Sequence, residues 1–165
     1  MIQPEPVAAP LIERLITHYG YEELKADTLE AFVKAPGDAV IFAAGDFNRL
    51  DETADVAVVL PELISVFPDT FRVGVTRDRE TEMAVQRMYR FNAFPALVFT
   101  RDGGWLGTIQ RMQDWSDYLR DIRGFLASEP QEPPRFEFPD GCNVAAPTPV
   151  SAPDPNDTAA IQARN

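Results

Sequence analysis

A chain of 165 residues with one cysteine and one histidine has few routes to covalent or metal chemistry. Cys142 has no second cysteine to pair with, so an intrachain disulfide is excluded. Nothing beside it in sequence would lower its pKa and make it a nucleophile. His18 stands alone on a helical stretch, with no cysteine or second histidine placed to complete a metal site or a catalytic pair. No metal, cofactor or catalytic residue is therefore expected. The side chains that do cluster are acidic: Asp46, Asp51, Glu52 and Asp55, relieved in that stretch by Arg49. Carboxylates grouped this way accept guanidinium groups in bidentate, charge-assisted pairs. The same residue types near a helix start cap it and complement its dipole. Both readings stay open from the residues alone.

Pro95 is the second feature, in F-N-A-F-P-A-L-V-F-T, residues 91–100. The apolar run reads as a buried strand. Proline belongs there only at a start, an edge or a bulge, because it has no N–H to donate. The Phe94–Pro95 bond is also one where a cis peptide costs little. Gly103-Gly104 reads as a hairpin turn and not a phosphate loop, since no G-x-G-x-x-G or Walker pattern accompanies it. Met83, Met88, Trp105 and Trp115 fall at core spacing, so packing is their default role. Arg77, Asp78, Arg79 and Glu80 mix signs and read as a solvated turn.

The apolar content of 45% suits a packed core. A net charge of −11 and a pI near 4.5 argue against a nucleic-acid surface. The acidity suits a cationic partner, or solubility alone. The N-terminal M-I-Q-P-E-P-V-A-A-P-L-I-E-R-L lacks the basic and apolar regions of a secretory signal. No apolar run approaches the ~18 residues of a membrane span. A cytoplasmic protein without membrane insertion is expected.

The elements that must position these residues follow from periodicity. Pro10 suits a first helical turn, and Leu11, Ile12, Leu15, Ile16 and Tyr19 continue at helical spacing to Gly20. A short strand is expected over 21–25, then a helix over 28–35 capped by Asp27. Residues 39–45, A-V-I-F-A-A-G, read as a central buried strand. Helices are expected over 55–67, 80–89 and 115–126, and strands over 71–76, 96–100 and 105–110. The order α-β-α-β-α-β-α-β-β-α implies a layered α/β sandwich with a mixed sheet. From Glu129 onward more than half of the 15 prolines are gathered and periodicity disappears. The folded unit is therefore expected over 10–128, followed by a disordered, acidic, proline-rich tail over 129–165. Phe136 and Phe138 are the tail residues able to dock on the domain.

That order, with a proline opening the first hairpin strand, resembles the thioredoxin fold over residues 21–128. The resemblance implies a three-layer α/β/α sandwich with about five strands and one extra N-terminal helix. It also implies that Pro95 is cis and faces the site where thioredoxins carry C-x-x-C. Pro61 in V-L-P-E-L matches the family's helix proline, and its spacing places the motif at Thr53-Ala54-Asp55-Val56. Thiol–disulfide exchange needs a thiolate, which neither Thr53 nor Val56 supplies.

A narrower resemblance rests on P-L-I-E-R-L, on D-F-N-R-L-D-E-T-A-D-V-A-V-V-L-P-E-L and on R-F-N-A-F-P-A-L-V-F-T-R-D-G. These resemble the HyaE/HupG/HoxO family of hydrogenase expression proteins. The resemblance implies a non-catalytic chaperone in the maturation of uptake nickel–iron hydrogenases. Its partner would be the small-subunit precursor with its twin-arginine signal peptide, and a second maturation protein is a further candidate partner. The binding groove would involve Asp46, Asp51, Glu52, Thr53, Asp55, Phe94 and Pro95, in the mode of strand addition beside the proline. The alternative is a redox-inactive thioredoxin-like scaffold serving another partner.

Overall fold

The computed structural model describes residues 8–135. Its elements are α1 (Ala8–Thr17), β1 (Glu22–Leu24), α2 (Leu29–Lys34), β2 (Asp38–Ala43), α3 (Asp51–Val66), β3 (Phe71–Thr76), α4 (Arg79–Tyr89), β4 (Ala96–Arg101), β5 (Gly104–Gln110) and α5 (Trp115–Leu126). The order is the one expected from periodicity. Strands align as β1-β3-β2-β4-β5. β3 runs parallel to both β1 and β2, whereas β4 is antiparallel to β2 and β5. The expected mixed five-stranded, thioredoxin-like sheet is the architecture.

The central strand shows why two helical layers are needed. Successive side chains of β2 point to opposite faces, and nearly all of them are apolar and buried. Val40 and Phe42 join Ile12 and Leu15 of α1, Val56, Leu60 and Leu63 of α3, and Tyr118 and Ile122 of α5. Ala39, Ile41 and Ala43 face the other way, against Leu29, Phe32 and Val33 of α2 and Val85 and Tyr89 of α4. A strand this apolar on both faces has to be covered on both. At the far end of the sheet Arg101 makes a bidentate pair with Asp38 and donates to the carbonyls of Leu126 and Ser128, tying the end of α5 to β2 and β4.

Several local expectations change. α3 begins at Asp51, not Asp55, so Thr53-Ala54-Asp55-Val56 lies wholly within the helix. The preceding turn is already closed by Asp46, whose carbonyl accepts from the amides of Arg49 and Leu50, and the helix starts directly after it. Asp27 does not cap α2; the cap is Thr28, whose hydroxyl accepts from the Lys25 amide instead of the helix. Asp78 is no free turn residue, because its carboxylate accepts from the Thr81 amide and caps α4. Arg77 pairs with Glu13 and Glu23 and so links α1 to β1. Met88 and Trp115 are exposed, not core. Beyond α5 the Gln131 amide donates to the Trp105 carbonyl at 2.9 Å. Phe136, Phe138, Cys142 and the expected tail past residue 135 lie outside the described residues.

The N-terminal helix is integral to the core, since Leu15 is buried against α3. Leu15→Ala is expected to cost about 2–4 kcal/mol. Urea unfolding should show this as a lower midpoint with an unchanged slope.

Candidate functional site

The end of the central strand is held by two hydroxyls. The Ala44 amide donates to Thr76 Oγ1 at 3.1 Å, and the Ala44 carbonyl accepts from Thr53 Oγ1 at 2.7 Å. Thr53 and Thr76 are both fully buried. These bonds fix the start of α3 against the ends of β2 and β3. Gly45 follows with a φ of +76°, which favours glycine, and a Cβ there would fall 2.6 Å from Phe94 Cβ. The β2–α3 loop and the Phe94–Pro95 loop therefore lie in direct apposition.

The proline loop is braced from β5. The Phe94–Pro95 bond is cis. Gln110 Oε1 accepts from the amides of Asn92 and Ala93 at 3.1 and 2.8 Å. The Pro95 carbonyl accepts from the Arg111 amide at 2.7 Å. Phe94 stacks edge-on against Phe91 with ring centroids 5.2 Å apart. Among the described residues no donor or acceptor pairs with the backbone N–H or C=O of Phe94. A backbone left unpaired beside a groove is a template for an added strand.

A cavity of about 350 Å³ opens between these loops and the start of α4, lined by Asp46, Arg49, Arg79, Glu82, Phe94 and Arg111 among others. A cleft of about 200 Å³ continues it past Leu50, Asp51 and Glu52. The groove is thus of mixed sign: Arg79 and Arg111 join Arg49 from elements remote in sequence. Another depression, about 530 Å³, lies between α2, α4 and the β4–β5 turn and includes Leu29, Val33, Met88 and Gly103. Among the described residues no group of three or more His, Cys, Asp or Glu is placed to hold a metal ion. No helix among them is long and apolar enough to cross a membrane.

The residues singled out from sequence separate into distinct positions. Asp46 is exposed and shapes its loop, its Oδ1 accepting from the Asn48 amide at 3.0 Å. Asp51 and Asp55 are exposed on α3, and α3 has no side-chain cap because Leu50 occupies that position. Glu52 is engaged: it takes a bidentate pair from Arg111 and the Met112 amide. Those bonds hold its carboxyl below the usual range. Thr53 and Pro95 are buried and shape the groove from beneath, while Phe94 is half-buried on its wall.

Glu82 escaped sequence reading. It sits on α4, is 4% exposed, and faces the cavity. Among the described residues its carboxyl makes no side-chain hydrogen bond or ion pair. Burial pushes it up to about 7, and the Asp78 and Asp46 carboxylates add to the rise. The Gly45 amide and Arg79 act in the opposite direction. The available signal was its position: Glu82 is followed at i+3 and i+7 by the buried Val85 and Tyr89, on the inward face of α4.

A family model described as Hydrogenase-1 expression protein HyaE matches residues 11–118. The chain is similar to the hydrogenase expression/formation protein HoxO of Cupriavidus necator, with 40% identity over 131 residues, 79% of this chain and 81% of that protein. It is similar to the hydrogenase expression/formation protein HupG of Rhodobacter capsulatus, with 38% identity over 128 residues, 76% of this chain and 91% of that protein. The solved structure of yeast mitochondrial 1-Cys peroxiredoxin matches with a TM-score of 0.52 and 17% identity over 66% of this chain and 95% of that one. That likeness concerns the fold alone.

The raised Glu82 carboxyl has a consequence for stability. Between about pH 4.5 and 7 the folded chain keeps a proton that the unfolded chain releases, so this contribution is complete below that window and lost as pH rises through it. Glu82→Gln mimics the protonated form. The variant is expected to match the parent at pH 4.5 and to exceed it by up to about 3 kcal/mol at pH 8. Thermal or urea unfolding at the two pH values checks this.

Proposed function

The chain belongs to the HyaE family of hydrogenase expression proteins, and from that membership we propose that it is a non-catalytic chaperone of hydrogenase maturation. It binds the small-subunit precursor of an uptake nickel–iron hydrogenase in the cytoplasm, twin-arginine signal peptide included, before assembly and export. A second maturation protein is a further partner in this scheme. The observation that carries the reading is the Phe94 backbone, unpaired among the described residues, beside Pro95 at the rim of an open groove. An extended segment of the partner adds there as a short strand. The lack of a cysteine at either motif position supports a holding role. Thr53, at a motif position, is buried with its hydroxyl committed to Ala44, and Val56, at the other, has no heteroatom. Asp46, Asp51 and Asp55 supply the exposed negative charge that steers a cationic segment toward the groove. Glu52, already paired, holds the groove's wall in place.

The test is a pull-down of small-subunit precursor with and without its signal peptide. Retention of the intact precursor and loss of the truncated one is the expected result. Retention of neither form sinks the chaperone reading, whereas equal retention of both removes the signal peptide from it. Phe94→Ala is expected to weaken retention about tenfold, the scale of an interface anchor. Met88→Ala, in the depression between α2 and α4, should leave it unchanged.

A further inference from the structure

Glu82 is a buried carboxyl that faces an open cavity and has no side-chain partner among the described residues. Apart from the Gly45 amide it has no hydrogen-bonding partner there, and one amide leaves most of a carboxylate's acceptor capacity open to an occupant. The occupant must relieve a carboxyl, not add to the negative charge. Asp46 lines the same cavity from the β2–α3 loop, and Asp78 lies close enough at the start of α4 to act on Glu82. The positive groups of the cavity stand at its mouth. Arg49, Arg79 and Arg111 are exposed, and Arg111 is already neutralised by Glu52. Solvent screens those charges far more than it screens a group on the buried floor.

We propose that this cavity is the seat of a single guanidinium side chain from the partner, with Glu82 on its floor and Asp46 at its rim as the two carboxylates that hold it. A planar guanidinium can offer N–H pairs to both acids at once, which a compact ammonium does less well. The seat lies beside Phe94, so a strand added at that backbone can direct a side chain into it. In this respect the inference rests on the chaperone reading and sharpens it. Ionised Glu82 is costly while the seat is empty and is relieved when a cation enters. Binding therefore favours the ionised carboxylate and strengthens with pH. The groups facing Glu82 are Asp46, Asp78, Arg79 and the Gly45 amide. Burial places the titration of Glu82 at about 7, so its carboxyl changes charge around neutral pH.

The test uses N-acetyl-arginine amide as probe and the full chain labelled with nitrogen-15. Shift changes at the Gly45, Glu82 and Phe94 amides should saturate with an affinity about tenfold greater at pH 8 than at pH 6, following the ionised fraction of the carboxyl. Glu82→Gln should lose both the affinity and its pH dependence. Glu80→Gln makes the same charge change on the exposed side of α4 and should titrate like the parent. N-acetyl-citrulline amide, uncharged and nearly isosteric, should not bind. Equal binding of the citrulline probe, an unchanged titration in Glu82→Gln, or shifts confined to other surfaces would overturn the proposal. If Glu82→Gln fails to fold, the citrulline comparison and the parent's own pH dependence decide. Because the probe is a single residue, its failure leaves precursor retention untouched, and a failed pull-down leaves the probe result standing.

Discussion

Ala44 is gripped from both sides by buried hydroxyls, and the groove depends on that grip. Thr76 receives its amide and Thr53 supplies a donor to its carbonyl. Leaving either backbone group unpaired in the core would cost about 1–3 kcal/mol. The solvent-screened Arg111–Glu52 pair, which also borders the groove, contributes far less. The threonines therefore set the geometry, and the surface pair trims it. With β2, β3 and α3 locked at one point, Gly45 can turn sharply enough for Phe94 to approach its backbone. The Phe94–Pro95 loop is then pinned from the other side by Gln110 and Arg111.

This arrangement joins a rigid frame to an unsatisfied rim. The frame is well paired: hydroxyls, a side-chain amide and backbone groups account for one another. At the rim the Phe94 backbone has no such partner among the described residues, and on the floor the Glu82 carboxyl has no side-chain partner there, only the Gly45 amide. A folded chain ordinarily leaves few such groups, and those it leaves near a cavity point to something that completes them. In the proposed function an extended segment completes the backbone, and its cationic side chain completes the carboxyl. The thioredoxin-like frame then serves to present a groove, and the hydroxyl of Thr53 at a motif position is spent on structure.

Much of the fold was legible because it rests on periodicity. The two-faced burial of β2, the helical stripe of α3 and the order of the elements all appear as spacings of apolar residues. The cis proline was legible through the resemblance, not through the residues themselves. Boundaries were harder. α3 starts at Asp51 because the Asp46 turn closes just before it, and a turn built on one aspartate looks in sequence like part of an acidic cluster. The same cluster concealed its own division: Glu52 pairs with Arg111, nearly sixty residues away, while Asp51 and Asp55 stay exposed. Glu82 was hidden for a related reason. A glutamate on a helix rich in charge reads as solvated, and only the packing of α4 against the loops shows that this one turns inward.

The account stands on the groove beside Phe94 being the surface that meets the partner. Nitrogen-15 shift mapping of the full chain, titrated with small-subunit precursor, tests that claim most directly. Perturbations clustered at residues 45–50, at Ala93 and Phe94, and at Arg111 are the predicted result. Perturbations clustered instead at Leu29, Val33, Met88 and Gly103, with the two loops unchanged, would contradict it.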